Sequence, residues 1–118
     1  MKLAGEGLLV RIFIGESDRW DGASLYEAIV QRAREKGLAG ATVLRGVEGF
    51  GAHNLIHTAR IMRLAEDLPI IIEIVDRKEK IEAFLPELDN MIPEGLVTLE
   101  PVQVILYRAR DAASAHTH

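Results

Sequence analysis

The sequence predicts an α+β fold in which a four-stranded antiparallel sheet carries two helices on one face. Two observations support this fold class: four runs of β-favouring apolar residues, and helical periodicity after the first and third of these runs. The resulting order, β-α-β-β-α-β, is the split βαβ arrangement of ferredoxin-like folds. The predicted strands cover residues 8–14, 41–44, 68–75 and 96–107, and the predicted helices cover residues 24–36 and 76–92.

Length and composition indicate one small domain, predicted for residues 1–110 and followed by a flexible tail at residues 111–118. A chain of 118 residues with 48% hydrophobic content can bury about two thirds of its unfolded surface. The lack of cysteine excludes disulfides and thiolate chemistry, and a net charge of -4 argues against a nucleic-acid partner. Since the apolar runs are strand-sized, we expect no signal peptide, no membrane insertion and a cytoplasmic location.

The first strand and the first helix are predicted from alternation and from capping signals. Arg11 marks the more exposed face of the strand, while Leu8, Val10, Ile12 and Ile14 point the other way. Ser24 and Glu27 have capping-box spacing at the helix start, and Gly37 can adopt the left-handed turn after its end. The face that should cover the sheet consists of Leu25, Ala28, Ile29 and Ala33.

In the second half of the chain, the same capping and periodicity signals predict a helix and a strand, and a proline interrupts each of them. Asp76 and Glu79 have capping-box spacing, and Pro86 removes the hydrogen bond to the Glu82 carbonyl, which predicts a kink or a break in the second helix. Pro101 predicts an edge position or a bulge in the last strand. The apolar helical face consists of Ile81, Phe84, Leu85, Leu88 and Met91 or Ile92.

Helices on one side cannot cover both faces of the predicted sheet. The strands keep apolar residues on the second face as well, including Phe13 and Ile71. An uncovered apolar sheet face of this kind is typical of a subunit interface. We therefore expect association through the sheet.

A glycine-started loop between the second and third strands is the first candidate site. Gly46, Gly49 and Gly51 fall within six residues, and glycines can turn through positive φ and expose backbone N–H groups to a phosphate or another anion. The same glycines could instead permit only a hairpin bulge.

Residues 52–66 carry histidines and arginines whose role depends on their conformation. His53 and His57 would share a face and could supply two nitrogen ligands to zinc or copper, but without an evident third ligand we expect no metal. Residues 57–64 alternate as a strand would, although a helical turn is also possible. On a projecting strand, Arg60 and Arg63 would offer positive charge to a partner protein, and a solvated strand face explains them equally well.

Five short motifs in order resemble the uncharacterised PII-like proteins of domain-of-unknown-function family 190. The resemblance spans residues 8–108, nearly the whole chain. It rests on Ile14-Gly15-Glu16, residues 37–43, Arg45-Gly46 with Gly49-Phe50-Gly51, Asp67-Leu68-Pro69 and Val75-Asp76.

The resemblance implies a ferredoxin-like protomer in a compact homotrimer, with the sheets facing inward and ligand clefts between subunits. The related PII signalling proteins bind adenine nucleotides in these clefts. They contact target proteins with the long loop between the second and third strands. The implied output is therefore a signal to a target such as a transporter or an enzyme, with an adenine nucleotide as ligand and no required cofactor.

Carried over by residue, the resemblance places one side of the cleft at Thr42 and residues 46–51 and the other at Pro93, Glu94 and Gly95. Where PII proteins have a lysine after a glycine-rich turn, this chain has Leu96. Fewer cations beside the phosphates favour AMP or ADP over ATP with magnesium. The nucleotide-binding candidates are Thr42, Arg45, Gly46, Gly49, Phe50, Gly51, Glu94 and Gly95, with Arg108 and Arg110 in approximate register with the PII arginine pair.

Plainer explanations exist for several of these residues. The arginines could be solvated or could pair with Glu48, Glu100 or Asp111 on the surface. Thr42 is β-favouring, and Phe50 could anchor the loop to a neighbouring subunit. A CutA-like trimer with metal-linked or structural behaviour shares the predicted architecture and is the alternative function. A third possibility is a small ferredoxin-like enzyme that uses the interfacial cleft on an organic substrate. Residues 16–18 could suggest acid-base groups, but no catalytic constellation is legible, so we expect a non-enzyme.

Overall fold

The computed structural model describes residues 5–50 and 67–110 of the chain. Within these ranges the predicted β-α-β-β-α-β order is confirmed, with one small hairpin added between the first strand and the first helix. The elements are β1 (Gly5–Gly15), β2 (Arg19–Trp20), β3 (Ala23–Ser24), α1 (Leu25–Glu35), β4 (Thr42–Arg45), β5 (Pro69–Asp76), α2 (Lys78–Met91) and β6 (Leu96–Val104).

The main sheet has the strand order β4-β5-β1-β6, and all its neighbouring strands are antiparallel. β6 lies at an edge, where it pairs with β1 and places Pro101 opposite Leu8. An edge strand tolerates proline because one side of its backbone needs no partner. The edge position predicted from Pro101 is therefore confirmed.

The hydrophobic core lies between one sheet face and the two helices. Alternating residues of β1 and β5 meet the apolar stripes of α1 and α2, as the two periodicities predict. Within the described residues this core comprises Val10, Ile12, Ile14, Leu25, Ile29, Ala33, Ile70, Ile72, Ile74, Ile81, Phe84, Leu88 and Met91.

The opposite sheet face carries a row of four apolar side chains, one from each strand. Leu44 pairs with Ile71, Ile71 with Phe13, and Phe13 with Leu96. The two edge members are 46% and 55% exposed, so this face is uncovered within the described residues. The neighbouring row is polar: Arg11 donates hydrogen bonds to Glu73 at 2.8 Å and to Glu100 at 3.1 Å.

The helix starts differ from the two predicted capping boxes. Ser24 is the N-cap of α1 but makes no side-chain capping bond. Arg77, and not Asp76, is the N-cap of α2, again without a side-chain bond. The fully buried Asp76 carboxylate instead accepts hydrogen bonds from the backbone N–H groups of Ala39 at 2.9 Å and Arg77 at 2.7 Å. Its long-range bond to Ala39 joins β5 to the connection before β4.

Two further boundaries differ from the expectation. α2 is one continuous helix that contains Pro86, so the predicted break into two pieces is wrong. The exposed ring lies on the solvent side of α2, where its shape disturbs no core contact. β6 ends at Val104 and not at residue 107, because the ladder with β1 ends at the Gly5–Val104 pair. Beyond it, the Tyr107 hydroxyl donates to the Ala39 carbonyl at 3.1 Å.

Among the described residues, neither helix combines the length and the apolar character that crossing a bilayer requires.

Candidate functional site

A groove of about 1100 Å³ lies at the end of the sheet where β1 ends and where β5 and β6 begin. One wall is the segment after β4, including Gly46, Gly49 and Phe50. The other wall is the turn before β6, with Pro93, Glu94 and Gly95. Two segments that are more than forty positions apart in the sequence therefore face the same cavity within one protomer.

The floor of the groove is apolar. Phe13, Ile71 and Leu96, three members of the open-face row, line it together with Leu88 and Ile92 from the end of α2 and the residue after it. On the wall, Phe50 is 76% exposed and its aromatic ring is available to a ligand. A planar heterocycle could stack on such a ring or lie against the floor.

The polar part of the groove is acidic. Its lining contains no lysine or arginine among the described residues. Carboxylates of one sign along a concave surface create a negative potential, which opposes the entry of a densely charged anion. The carboxylate residues of the lining are Asp18, Glu48, Asp67, Asp89 and Glu94.

Gly95 allows the turn before β6 to approach β1 closely. Its φ of +156° lies where side chains are disfavoured, and a Cβ atom there would lie 2.7 Å from the carbonyl oxygen of Phe13. This glycine therefore sets the distance between the turn and the groove floor.

The glycines after β4 have a different role from the one predicted. Neither Gly46 nor Gly49 has a positive φ. The Gly46 N–H donates to the Pro69 carbonyl at 2.7 Å, so it is not available to an anion. Cβ atoms at the two positions would lie 3.1 Å and 3.3 Å from the Pro69 ring carbon Cγ. The glycines let this wall pack against the start of β5.

Four candidate residues lie outside the groove lining. Thr42 is exposed on β4 opposite Glu73, and Arg108 and Arg110 are exposed after β6. Arg45 donates from Nε to Glu16 Oε2 at 3.1 Å and from Nη2 to the same oxygen, which raises its pKa above the ordinary value. Arg45 is therefore held in an ion pair, but its partner is the largely buried Glu16 and none of the three surface carboxylates named from the sequence.

Sequence reasoning missed several groove residues. Asp18 accepts a hydrogen bond from the Gly15 N–H at 3.0 Å, and Asp67 accepts one from the Ser17 hydroxyl at 2.7 Å. Both carboxylates sit where a strand ends or begins, next to the Ile14-Gly15-Glu16 and Asp67-Leu68-Pro69 motifs. These motifs were the available signal, but alternation alone does not show that the two strand ends meet.

The remaining candidates fall where the structure describes nothing. Gly51, His53, His57, Arg60 and Arg63 lie outside the described residues, as does the tail at residues 111–118. Within residues 5–50 and 67–110, no group of three or more histidines and carboxylates lies close enough together to hold a metal ion.

The fold is similar to that of solved PII-like proteins. CPII from Thiomonas intermedia K12 bound to ADP and bicarbonate has a TM-score of 0.57 and 19% identity, covering 84% of this chain and 88% of that chain. CPII bound to ADP, AMP and bicarbonate, described as a nitrogen regulatory PII-like protein, has a TM-score of 0.58 with the same identity and coverage. At this identity the likeness shows the fold, and it confirms the predicted PII-like architecture.

Sequence comparison identifies the family. The family DUF190, described as an uncharacterized ACR, matches residues 7–104. A UPF0166 protein of Aquifex aeolicus is 41% identical over 97 residues, covering 82% of this chain and 91% of the relative. A UPF0166 protein of Methanocaldococcus jannaschii is 34% identical over 97 residues, covering 81% and 89%. The resemblance of the sequence motifs is thus confirmed, and the chain belongs to the DUF190 (UPF0166) family.

Proposed function

We propose that this protein is a PII-like regulator that binds an adenine nucleotide, AMP or ADP in preference to ATP, in its acidic groove. Its output is a signal to a target protein through the segment after β4, and not a chemical conversion. The observation that carries this proposal is the meeting of residues 46–50 and 93–95 on one groove with an apolar floor. CPII, which shares the fold, binds ADP and AMP.

The charge of the groove supports a nucleotide with few phosphates. Five carboxylates line it, and Arg45 is occupied by Glu16. Each further phosphate on the ligand adds negative charge that no lysine or arginine of the described lining balances. An apolar floor and carboxylates suit the adenine ring and the ribose hydroxyls, which can stack and donate hydrogen bonds.

A neighbouring subunit would supply positive charge to the groove, whose lining among the described residues contains no lysine or arginine. Arg108 and Arg110 are exposed after β6 and make no ion pair with a described residue. The uncovered row of Leu44, Ile71, Phe13 and Leu96 offers the apolar surface that association needs. We place the nucleotide between subunits of a homotrimer, where arginines of one copy reach the groove of the next.

Calorimetric titration with AMP, ADP, ATP and cyclic AMP tests the proposal. We expect micromolar or weaker binding, a free energy of ~8 kcal/mol or less, with AMP or ADP ahead of ATP. Nanomolar ATP binding would contradict the charge argument. A rise in melting temperature with zinc or copper but with no nucleotide would favour the CutA-like alternative instead.

Gly49→Val tests the wall after β4. A Cβ at this position already lies 3.3 Å from the Pro69 ring, so a branched side chain must displace the wall or enter the groove. We expect nucleotide binding to be lost while the oligomer stays intact. The control is Gly40→Val, since a Cβ at Gly40 meets no atom within 4 Å. Unchanged affinity in Gly49→Val would reject this role of the wall.

A further inference from the structure

The two residues that follow β1, Glu16 and Ser17, contact both ends of the segment that joins β4 to β5. The Glu16 carboxylate accepts a hydrogen bond from the guanidinium of Arg45, which is the last residue of β4. Ser17 donates its hydroxyl to Asp67 Oδ1 at 2.7 Å and its backbone N–H to the same oxygen at 3.3 Å. Asp67 lies two positions before the start of β5. We call these two pairs, Glu16–Arg45 and Ser17–Asp67, the clamp.

Backbone contacts join the clamp to the groove wall. The Glu16 N–H donates to the Leu68 carbonyl at 2.8 Å, and the Gly46 N–H donates to the Pro69 carbonyl at 2.7 Å. Gly49 also approaches the Pro69 ring. The corner after β1, the start of β5 and the wall at residues 46–50 are therefore connected by short contacts.

The burial of Glu16 indicates a positional role. Its side chain is only 17% exposed, whereas that of its partner Arg45 is 54% exposed. A largely buried carboxylate is unfavourable unless a cation or hydrogen bonds compensate its charge. Arg45 supplies that compensation, and neither Glu16 nor Ser17 lines the groove itself.

We propose that Glu16 and Ser17 are positioning residues that hold the wall at residues 46–50 at a set distance from α2 and thereby set the affinity of the groove for its ligand. The effect on affinity rests on the nucleotide function proposed above. The effect on the wall does not.

Glu16→Gln separates positioning from charge. Removing a negative charge beside an acidic groove should strengthen the binding of an anion if Glu16 acts only through its field. Loosening the wall should weaken binding instead. We expect AMP to bind about fivefold more weakly to Glu16→Gln and to Ser17→Ala. A factor of this size is typical when one partly exposed ion pair or hydrogen bond is lost.

The calorimetric experiment uses AMP with two further variants. Glu79→Gln is the matched control, because Glu79 is an exposed glutamate in the first turn of α2, at the end of that helix away from the groove. Exchanging the charges in Glu16→Arg with Arg45→Glu should restore part of the affinity by re-forming the pair. Tighter AMP binding to Glu16→Gln, with no rescue by the exchange, would overturn the positioning role.

A ligand-free measurement tests the wall directly. The chain has no cysteine, so Val47→Cys with Asn90→Cys allows two spin labels on opposite sides of the groove, both at exposed positions. With labelled chains diluted in unlabelled ones, we expect a narrow distance distribution that broadens in Glu16→Gln and Ser17→Ala and stays narrow in Glu79→Gln. An unchanged distribution in both clamp variants would overturn the proposal. If AMP fails to bind the unaltered protein, the proposed function is wrong, and the distances still decide the clamp.

Discussion

At the scale of single residues, Gly95 is a position where the fold leaves no room for a side chain. Both its φ and the nearby Phe13 carbonyl oppose a Cβ atom, and Ile14 and Ile92 are within 3.2 Å of where it would lie. We expect Gly95→Ala to lower the free energy of unfolding by about 2–4 kcal/mol, measured by urea denaturation.

Gly40→Ala is the control for this prediction, since nothing lies within 4 Å of its Cβ position. A change of no more than about 1 kcal/mol is expected there, because only the entropy of the unfolded chain is altered. Equal effects of the two substitutions would show that the close approach of Gly95 to β1 does not limit stability.

At the scale of elements, Glu87 of α2 joins the two helices. Arg32 of α1 donates a hydrogen bond to the Glu87 carboxylate, and Lys36 Nζ lies 3.4 Å from Glu87 Oε2. The Arg32 guanidinium carbon in turn lies 5.5 Å from the centroid of the Trp20 ring. The hydrogen bond from Arg32 is the main cause that lowers the pKa of Glu87 below its ordinary value. Folding therefore favours the ionised carboxylate.

The pH dependence of stability follows from this direction. The pKa of Glu87 is lower in the folded protein than in the unfolded chain, so as pH falls the unfolded chain binds a proton at this carboxylate first. The stabilisation that the ionised Glu87 provides is therefore fully present above its ordinary pKa of 4.5. This stabilisation is lost as pH falls through the lowered pKa of Glu87 in the folded protein. We expect Glu87→Gln to destabilise the protein near neutral pH and the difference from the unaltered protein to shrink in acid. Glu27→Gln, an exposed site on α1, should show no such convergence in chemical denaturation across pH.

Pro86 is an exposed residue inside a continuous helix. It cannot donate the hydrogen bond that a helix interior expects, and its ring crowds the preceding turn. Pro86→Ala should raise the free energy of unfolding by about 2 kcal/mol, after allowing for the greater freedom of the unfolded chain. If urea denaturation shows a lower free energy of unfolding for Pro86→Ala, the proline itself helps to set the path of α2.

At the scale of the whole molecule, the uncovered sheet face is the surface through which we propose that subunits associate. Leu44 belongs to its apolar row and is 46% exposed, so an aspartate there would place a charge in the proposed interface. If the proposed trimer forms through this face, Leu44→Asp should shift the sedimentation coefficient from that of a trimer toward that of a monomer. Ala83→Asp, which introduces the same charge at an exposed position of α2 on the other side of the sheet, should leave the trimer intact. Retention of the trimer by both variants would place the interface elsewhere.

Element order and core composition could be predicted from the sequence because both follow from short-range periodicity. Val10, Ile12 and Ile14 alternate along one strand, and Ile81, Phe84 and Leu88 recur along one helix, so each set shows its buried face without reference to the rest of the chain. The segment after β4 was also identified from its glycine spacing, which is a local signal, whereas the other side of the cleft at residues 93–95 was implied by the family resemblance.

The composition of the groove depended on contacts between distant parts of the chain. Ser17 meets Asp67 across 50 positions, Arg45 meets Glu16 across 29, and the Gly95 turn rests on Phe13. No local pattern states which of several carboxylates an arginine will reach. The sequence by itself determined the strands, the helices and the apolar faces that they bury. Only the tertiary structure decided that the groove is acidic and that Arg45 is turned away from it, because those facts depend on how paired strands bring their ends together.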